Sequence, residues 1–218
     1  MRFARLLAWI SPSFPTGGFA YSHGLEWVVE SGEIHDVATL VGWITDLLRY
    51  GSLHTDLILL RAAWRAETAP ERIRVAQVGC ALASSRERWE ETVQQGEAFL
   101  KAAANWPHAL PPGFDPRATR WPLPVAHGVA FRASGLDQET VAWANAHAAI
   151  ASLVSAAVRL VPLGQTCGLR ALAALEPTLR DVIDATRDLT LDDAGSLCFR
   201  ADLAAMKHET QQTRLFRT

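Results

Sequence analysis

At 218 residues the chain has room for one domain, or two small ones, and for a substantial buried core. Its 49% hydrophobic content excludes global disorder. A formal charge of −2, with two lysines among 21 basic residues and the arginines spread singly, excludes a nucleic-acid binder built on phosphate neutralisation. The three cysteines, Cys80, Cys167 and Cys198, are odd in number and widely spaced, so neither a disulfide framework nor a C-x-x-C pair is indicated, which suits a reducing cytoplasm.

The segment Met1 to Ile10 is apolar but short and lacks a small-residue cleavage site, so it is not read as a signal peptide. Pro12, Pro15, Gly17 and Gly18 then fix a turn, and Ser22 or His23 leads into a helix through Leu25 and Trp27. Val37, Leu40, Val41, Ile44, Leu47 and Leu48 share one face at helical period, with Asp36 placed as the N-cap. Gly51 interrupts, and Leu57 to Trp64 resumes as an apolar helix. Pro70 reads as a first-turn proline opening one long helix toward Lys101, with Trp89, Val93 and Leu100 on one face. The stretch 105–124 holds six prolines and Gly113 and predicts a loop. Helical signals return at Val125 to Ala133, and Asp137 caps a helix from Gln138 to Val161 that Pro162 stops. Within it, Thr140 to Val158 carries no formal charge but is interrupted by Asn145, His147, Ser152 and Ser155; it reads as a buried helix and not a membrane span. Gly164 to Leu175 and Pro177 to Leu189 predict two further helices, and Ala201 to Thr218 a short apolar helix followed by a polar tail. Nothing alternates as a strand does. The expectation is an all-α, single-domain bundle of roughly eight to ten helices over residues 1–218.

The templates for chemistry fail in turn. No G-x-x-x-x-G-K-[ST] is present, and Gly17, Gly18 and Gly24 lack the strand and lysine of a phosphate site. There is no G-x-S-x-G elbow. His208-Glu209-Thr210-Gln211-Gln212 misses the zinc-protease pattern at its second histidine, and Asp192-Asp193 meets Ser196 where a third acid is needed. The histidines His23, His35, His54, His108, His127, His147 and His208 form no i+3 or i+4 pair, and a lone histidine is more often hydrogen-bonded than a ligand. About two thirds of the tryptophans are expected in the core and the rest at an interface. No catalytic residue, metal site or cofactor is expected.

Four blocks carry a specific signal. The run Ser11-Pro12-Ser13-Phe14-Pro15-Thr16-Gly17-Gly18-Phe19-Ala20-Tyr21-Ser22-His23-Gly24-Leu25-Glu26 resembles the opening motif of the UreF family of urease accessory proteins. Glu90 to Leu100, with Gln95, Gly96 and Phe99, is similar to that family's central acidic helix. Leu123 to Gly128 and Ser155 to Thr166 resemble its later helices, and Asp202 to Thr218 resembles its C-terminal signature. The sequence departs at Gln212, where an aromatic is usual, and at Cys167, where an acidic or small residue is common. The resemblance implies a cytoplasmic all-α protein that dimerises and performs no chemistry itself. It would be an adaptor linking a UreD/UreH-type accessory protein, the GTPase UreG and apo-urease for nickel insertion, with no nucleic acid or membrane as partner.

On that basis the tail at 206–218, through Met206, Lys207, His208, Glu209, Arg214, Leu215, Phe216 and Arg217, is expected to dock on the UreD-type partner; the competing reading is a frayed terminus. Arg159, Gln165 and Thr166 are expected on or near the surface that meets the GTPase. Equally, Gln165 and Thr166 would merely cap a helix and Arg159 pair with an acid. Pro12, Pro15, Gly17, Gly18, Tyr21, Ser22, Gly24 and Glu26 form a structural motif, with Tyr21 and Glu26 in the core or at a dimer seam. Two other classes stay open: a regulator of GTP hydrolysis using Arg159 as a finger, and a helical nickel carrier.

Overall fold

Helix starts follow the caps in the sequence. Asp36 accepts the Thr39 amide at 2.8 Å and opens α3 (Val37–Tyr50); Asp137 does the same for Thr140 at 2.8 Å and opens α8 (Gln138–Leu160). Thr68 and Glu71 form a capping box at α5 (Ala69–Ala81), with Pro70 in its first turn. The structure, a computed structural model, describes residues 2–218. It adds α1 (Arg2–Trp9), α2 (Leu25–Glu30), α4 (Ser52–Arg65), α6 (Arg86–Ala103), α7 (Leu123–Ala133), α9 (Gln165–Ala185) and α10 (Phe199–His208). Short 3-10 turns lie at Gly18–Ala20 and Leu191–Asp193, and no strand forms among the described residues, so the fold is the all-α bundle that the periodicity predicts.

Several boundaries differ from expectation, among them the start of α4 at Ser52, five residues before the expected Leu57, and the end of α9 at Ala185. The long helix predicted from Pro70 to Lys101 is two helices. Ser85 accepts the Arg88 amide at 3.1 Å, and the Glu209 carboxylate, far along the chain, accepts the Arg86 amide at 2.8 Å. Both cap a new start that local propensity alone does not reveal. Conversely, α9 runs unbroken through Pro177, where two helices were predicted. Its buried stripe Gly168, Ala171, Leu175, Leu179, Val182 continues past the proline, while Pro177 and Ala173, whose carbonyl loses its donor, lie on the exposed side of the helix. Finally, α7 begins at Leu123, two residues earlier than predicted, because Pro124 needs no donor in a first turn.

The middle of the bundle is α4, buried nearly all round and packed against α3, α5, α7 and α8. Its Arg61 is fully buried, yet bonded: Nη1 reaches Glu139 Oε1 at 2.6 Å, and Nη2 reaches Glu139 Oε2 at 3.2 Å and the Ile183 carbonyl at 3.0 Å. One guanidinium thus ties α4, α8 and α9. An aromatic cluster fills the other side, with Trp9 edge-on to Phe99 at 5.5 Å and Phe14 against Trp106 at 5.7 Å. Trp9, Trp43 and Trp121 are buried, Trp27, Trp64, Trp89 and Trp106 half-buried, and Trp143 exposed. Length and composition would let α8 cross a membrane; here Val141, Ala146, Ile150 and Val154 face the core beside α9. The proline-rich segment before α7 folds back on itself, Trp121 Nε1 donating to the Pro116 carbonyl at 2.9 Å.

The crossing of α4 and α7 depends on Gly128, where an added Cβ would sit 2.4 Å from the Leu60 carbonyl oxygen. Gly128→Ala is expected to cost about 1–3 kcal/mol through forced separation of the two helices. Gly42→Ala, on the exposed face of α3 with nothing within 4 Å, is expected to gain about 0.5–1 kcal/mol. Urea unfolding of the two variants measures both.

Candidate functional site: a clasp on the C-terminal segment

The opening motif forms the turn that its composition demands. Gly17 takes a left-handed φ of 77°, Gly18 starts the 3-10 turn, and Pro12 and Pro15 lie exposed on either side of the buried Phe14. His23 has φ 62°, an uncommon conformation for a side chain of that size. Gly24, at φ 77°, is the seat of α10: a Cβ there would meet the Ala205 backbone nitrogen at 3.0 Å. Ser22 Oγ accepts the Glu26 amide at 3.2 Å and so supplies the cap that Gly24 lacks.

Against this turn lies the end of the chain. The Arg217 amide donates to the Ala20 carbonyl at 2.8 Å and the Ser22 amide to the Thr218 carbonyl at 2.9 Å. Glu26, buried in α2, accepts two successive amides, Leu215 at 2.6 Å and Phe216 at 2.8 Å. Phe216 is only 4% exposed, with the Arg159 guanidinium 4.4 Å above its ring and 3.8 Å from that of Phe19. Thr218 Oγ1 donates to Glu91 Oε2 at 2.8 Å, and Tyr21, under Arg217, donates to Gln94 at 2.9 Å.

A chain of charges runs beneath. His208, fully buried at the end of α10, has Nδ1 2.6 Å from Glu87 Oε2 and Nε2 3.3 Å from Glu26 Oε2. Arg214 Nη1 holds the other Glu87 oxygen at 2.5 Å. Glu91 pairs with Arg88, which holds its carboxyl far below the usual range against the opposing effect of burial. His23 Nε2 meets Ser52 Oγ at 2.6 Å; burial, then Arg88, push its pKa down. Beyond Arg88 a cleft of about 40 Å³ is lined by Ser52, Asp56, Ser196 and Asp202. Burial pushes the Asp56 carboxyl up to about 6, with Arg88 opposing and Glu91 adding to the shift. His127, apart from this group, is a core histidine pushed down to about 4 by burial, with Nδ1 donating to Asn145.

Of the residues singled out in the sequence, Tyr21, Ser22, Gly24, Glu26, His208, Glu209, Arg214, Phe216 and Arg217 thus converge on one clasp, and Arg159 joins it by stacking on aromatics, with no acid as partner. Met206, Lys207 and Leu215 point to solvent. Gln165 and Thr166 stand exposed at the start of α9, with no side-chain cap made at that terminus. The reading of the sequence passed over Glu87, Arg88 and Asp56. A signal was there: Glu87, Glu91 and Gln95 continue, at steps of four, the buried face that ends in Phe99, and charges on a core-facing stripe need partners.

Asp56 supplies a test by pH. A folded carboxyl raised above its unfolded value contributes stability below about pH 4 and loses it as pH rises through about 6. Asp56→Asn is therefore expected to raise the thermal midpoint above pH 7, by an amount that shrinks through this window and vanishes near pH 4. Melting curves of both proteins across the range read it directly.

Comparison with known proteins agrees with the geometry. A family model described as UreF matches residues 34–176, more than half of the chain. The urease accessory protein UreF of Rhodopseudomonas palustris (strain BisA53) is 46% identical over 219 residues, covering 98% of this chain and 92% of its own. Its namesake in Cereibacter sphaeroides (strain KD131) is 48% identical over 214 residues, covering 98% and 97%. That of Agrobacterium fabrum (strain C58) is 45% identical over 215 residues, covering 98% and 95%. From the opening turn to the clasped tail, this chain belongs to the UreF family of urease accessory proteins.

Proposed function

We propose that the chain acts as one non-enzymatic adaptor domain in urease maturation, working in the cytoplasm as a homodimer. In this reading it joins a UreD/UreH-type accessory protein, the GTPase UreG and apo-urease so that nickel, the cargo, enters the urease active site. One observation carries the adaptor role. The last helix, α10, turns its alanines inward (Ala201, Ala204, Ala205) and its large apolar residues outward. Phe199 is 71% exposed, Leu203 57% and Met206 47%, at spacings of four and three residues, with Leu197 at 74% just before them. Such a stripe on a helix end is apolar surface suited to a protein partner.

The tail residues Met206, Lys207 and Leu215 extend the same surface, and Glu209, Arg214 and Arg217 give it a polar rim, which suits the UreD-type partner. Gln165 and Thr166, with the exposed Leu169 beside them, are assigned to the GTPase. Arg159 acts with them through its hold on Phe19 and Phe216, a role in packing.

Leu203→Glu leaves the buried face of α10 untouched. It is expected to weaken capture of the UreD-type protein or of the second copy about tenfold or more, and to leave urease from the same cells largely free of nickel. Truncation after Glu209 is expected to abolish capture of the UreD-type protein. Urease loaded with nickel to the normal level in cells lacking this chain altogether would overturn the reading.

A further inference from the structure

Beside the clasp, three side chains from three elements stand in series. His23 Nε2 lies 2.6 Å from Ser52 Oγ, and His23 Nδ1, on the other side of the ring, faces Glu91 Oε1 at 3.6 Å. Burial would raise the Glu91 carboxyl, but the Arg88 guanidinium holds it far below the usual range, so the group is a carboxylate. A carboxylate there calls for the ring hydrogen on Nδ1. The Nε2 lone pair then faces Ser52, whose hydroxyl donates to it. Burial, then Arg88, lower the pKa of His23, which keeps the ring neutral at neutral pH. His23 is held at φ 62°, a conformation that is costly for a side chain of its size and that clusters where chemistry is done.

Ser52 is the first residue of α4 and is half-buried. No side chain caps that terminus, so the amides of its first turn stand beside the hydroxyl as donors for a developing oxyanion. Ser52 also borders the cleft of about 40 Å³, whose apolar wall is Leu59, Leu82 and Pro122. Such a volume holds about three water molecules, which suits an acetyl group and excludes a long chain. A hydroxyl, a neutral imidazole and a carboxylate in series, next to a small cleft, are the parts that acyl transfer to serine requires.

We propose that Ser52 is a nucleophile that accepts the acyl group of a small activated ester. Its Oγ bonds to the acyl carbon while the hydroxyl proton passes to His23 Nε2. The bond from that carbon to the leaving oxygen then breaks, and the proton moves on to that oxygen. Ester and serine thus become acyl-serine and alcohol. The attached group fills the cleft, against Ser196 and against Asp202 of α10. The adaptor role asks no chemistry of the chain, so this reactivity is additional to it and is tested without any partner.

The full chain is treated with p-nitrophenyl acetate at neutral pH, nitrophenol release is followed by absorbance, and early-quenched samples are mapped by mass spectrometry. Release is expected to depend on Ser52, as a single burst or as turnover, with an acetyl group on the peptide that holds Ser52. Ser52→Ala is expected to abolish both. His23→Asn, which tolerates the left-handed backbone, is expected to slow release about a hundredfold. p-Nitrophenyl hexanoate is expected to react at least about tenfold more slowly than the acetate, because its chain overfills the cleft. Acetylation confined to Lys101 and Lys207, undiminished release from Ser52→Ala, or equal rates with the two esters overturns the proposal. Mapping on the unaltered chain decides the matter even where a variant unfolds.

Discussion

A carboxylate removed from water needs a partner for each of its oxygens, and Glu26 finds them in the chain's own C-terminal segment and in His208. Much of the molecule is arranged around that requirement. The left-handed backbone at His23 and Gly24 sets α2 at the angle that aims Glu26 inward, and leaves room for α10 to cross directly over Gly24. Glu87 and Glu91 descend from α6 to the same place, and the tail brings Arg214 and Thr218 to meet them. Segments almost two hundred residues apart in sequence are joined by hydrogen bonds whose loss would strand charges in the interior.

The two ends of the bundle are held by different physics. Around α4, burial of aliphatic side chains dominates, and Arg61 contributes as a charge held with bidentate geometry by Glu139, its buried Nε left without a hydrogen-bond partner among the described residues. Around the clasp, apolar burial is limited to Phe216 and its neighbours, and orientation comes from directional contacts. Such a polar junction is specific about geometry and gives way locally once a partner group is removed, whereas the α4 core yields only with global unfolding. A protein that presents its tail to others would place its adjustable part where this one does.

The helices that were legible in the sequence were those with local signals: the caps at Asp36 and Asp137, the first-turn proline Pro70, and the proline-rich run before α7. The break between α5 and α6 was not legible because part of its cap is Glu209, more than a hundred residues away. Continuity through Pro177 was missed because a propensity rule gave way to a buried stripe that only tertiary packing makes visible. The clasp was half legible. Its motif residues carried a family signal, but a polar tail containing Leu215-Phe216-Arg217 read as something offered to a partner, and burial of Phe216 against its own chain follows from pairing at long range. Charges at Glu87 and Glu91 on a core-facing stripe were the local clue.

The central claim is that the C-terminal segment belongs to the folded body, with Phe216 as its apolar anchor under Glu26 and Arg159. Urea unfolding of Phe216→Ala tests it most directly. The clasp predicts a loss of about 2–4 kcal/mol, as for removal of a buried aromatic ring that the surroundings only partly fill. A change below about 0.5 kcal/mol, the range of an exposed side chain, would contradict it and return the segment to a free tail.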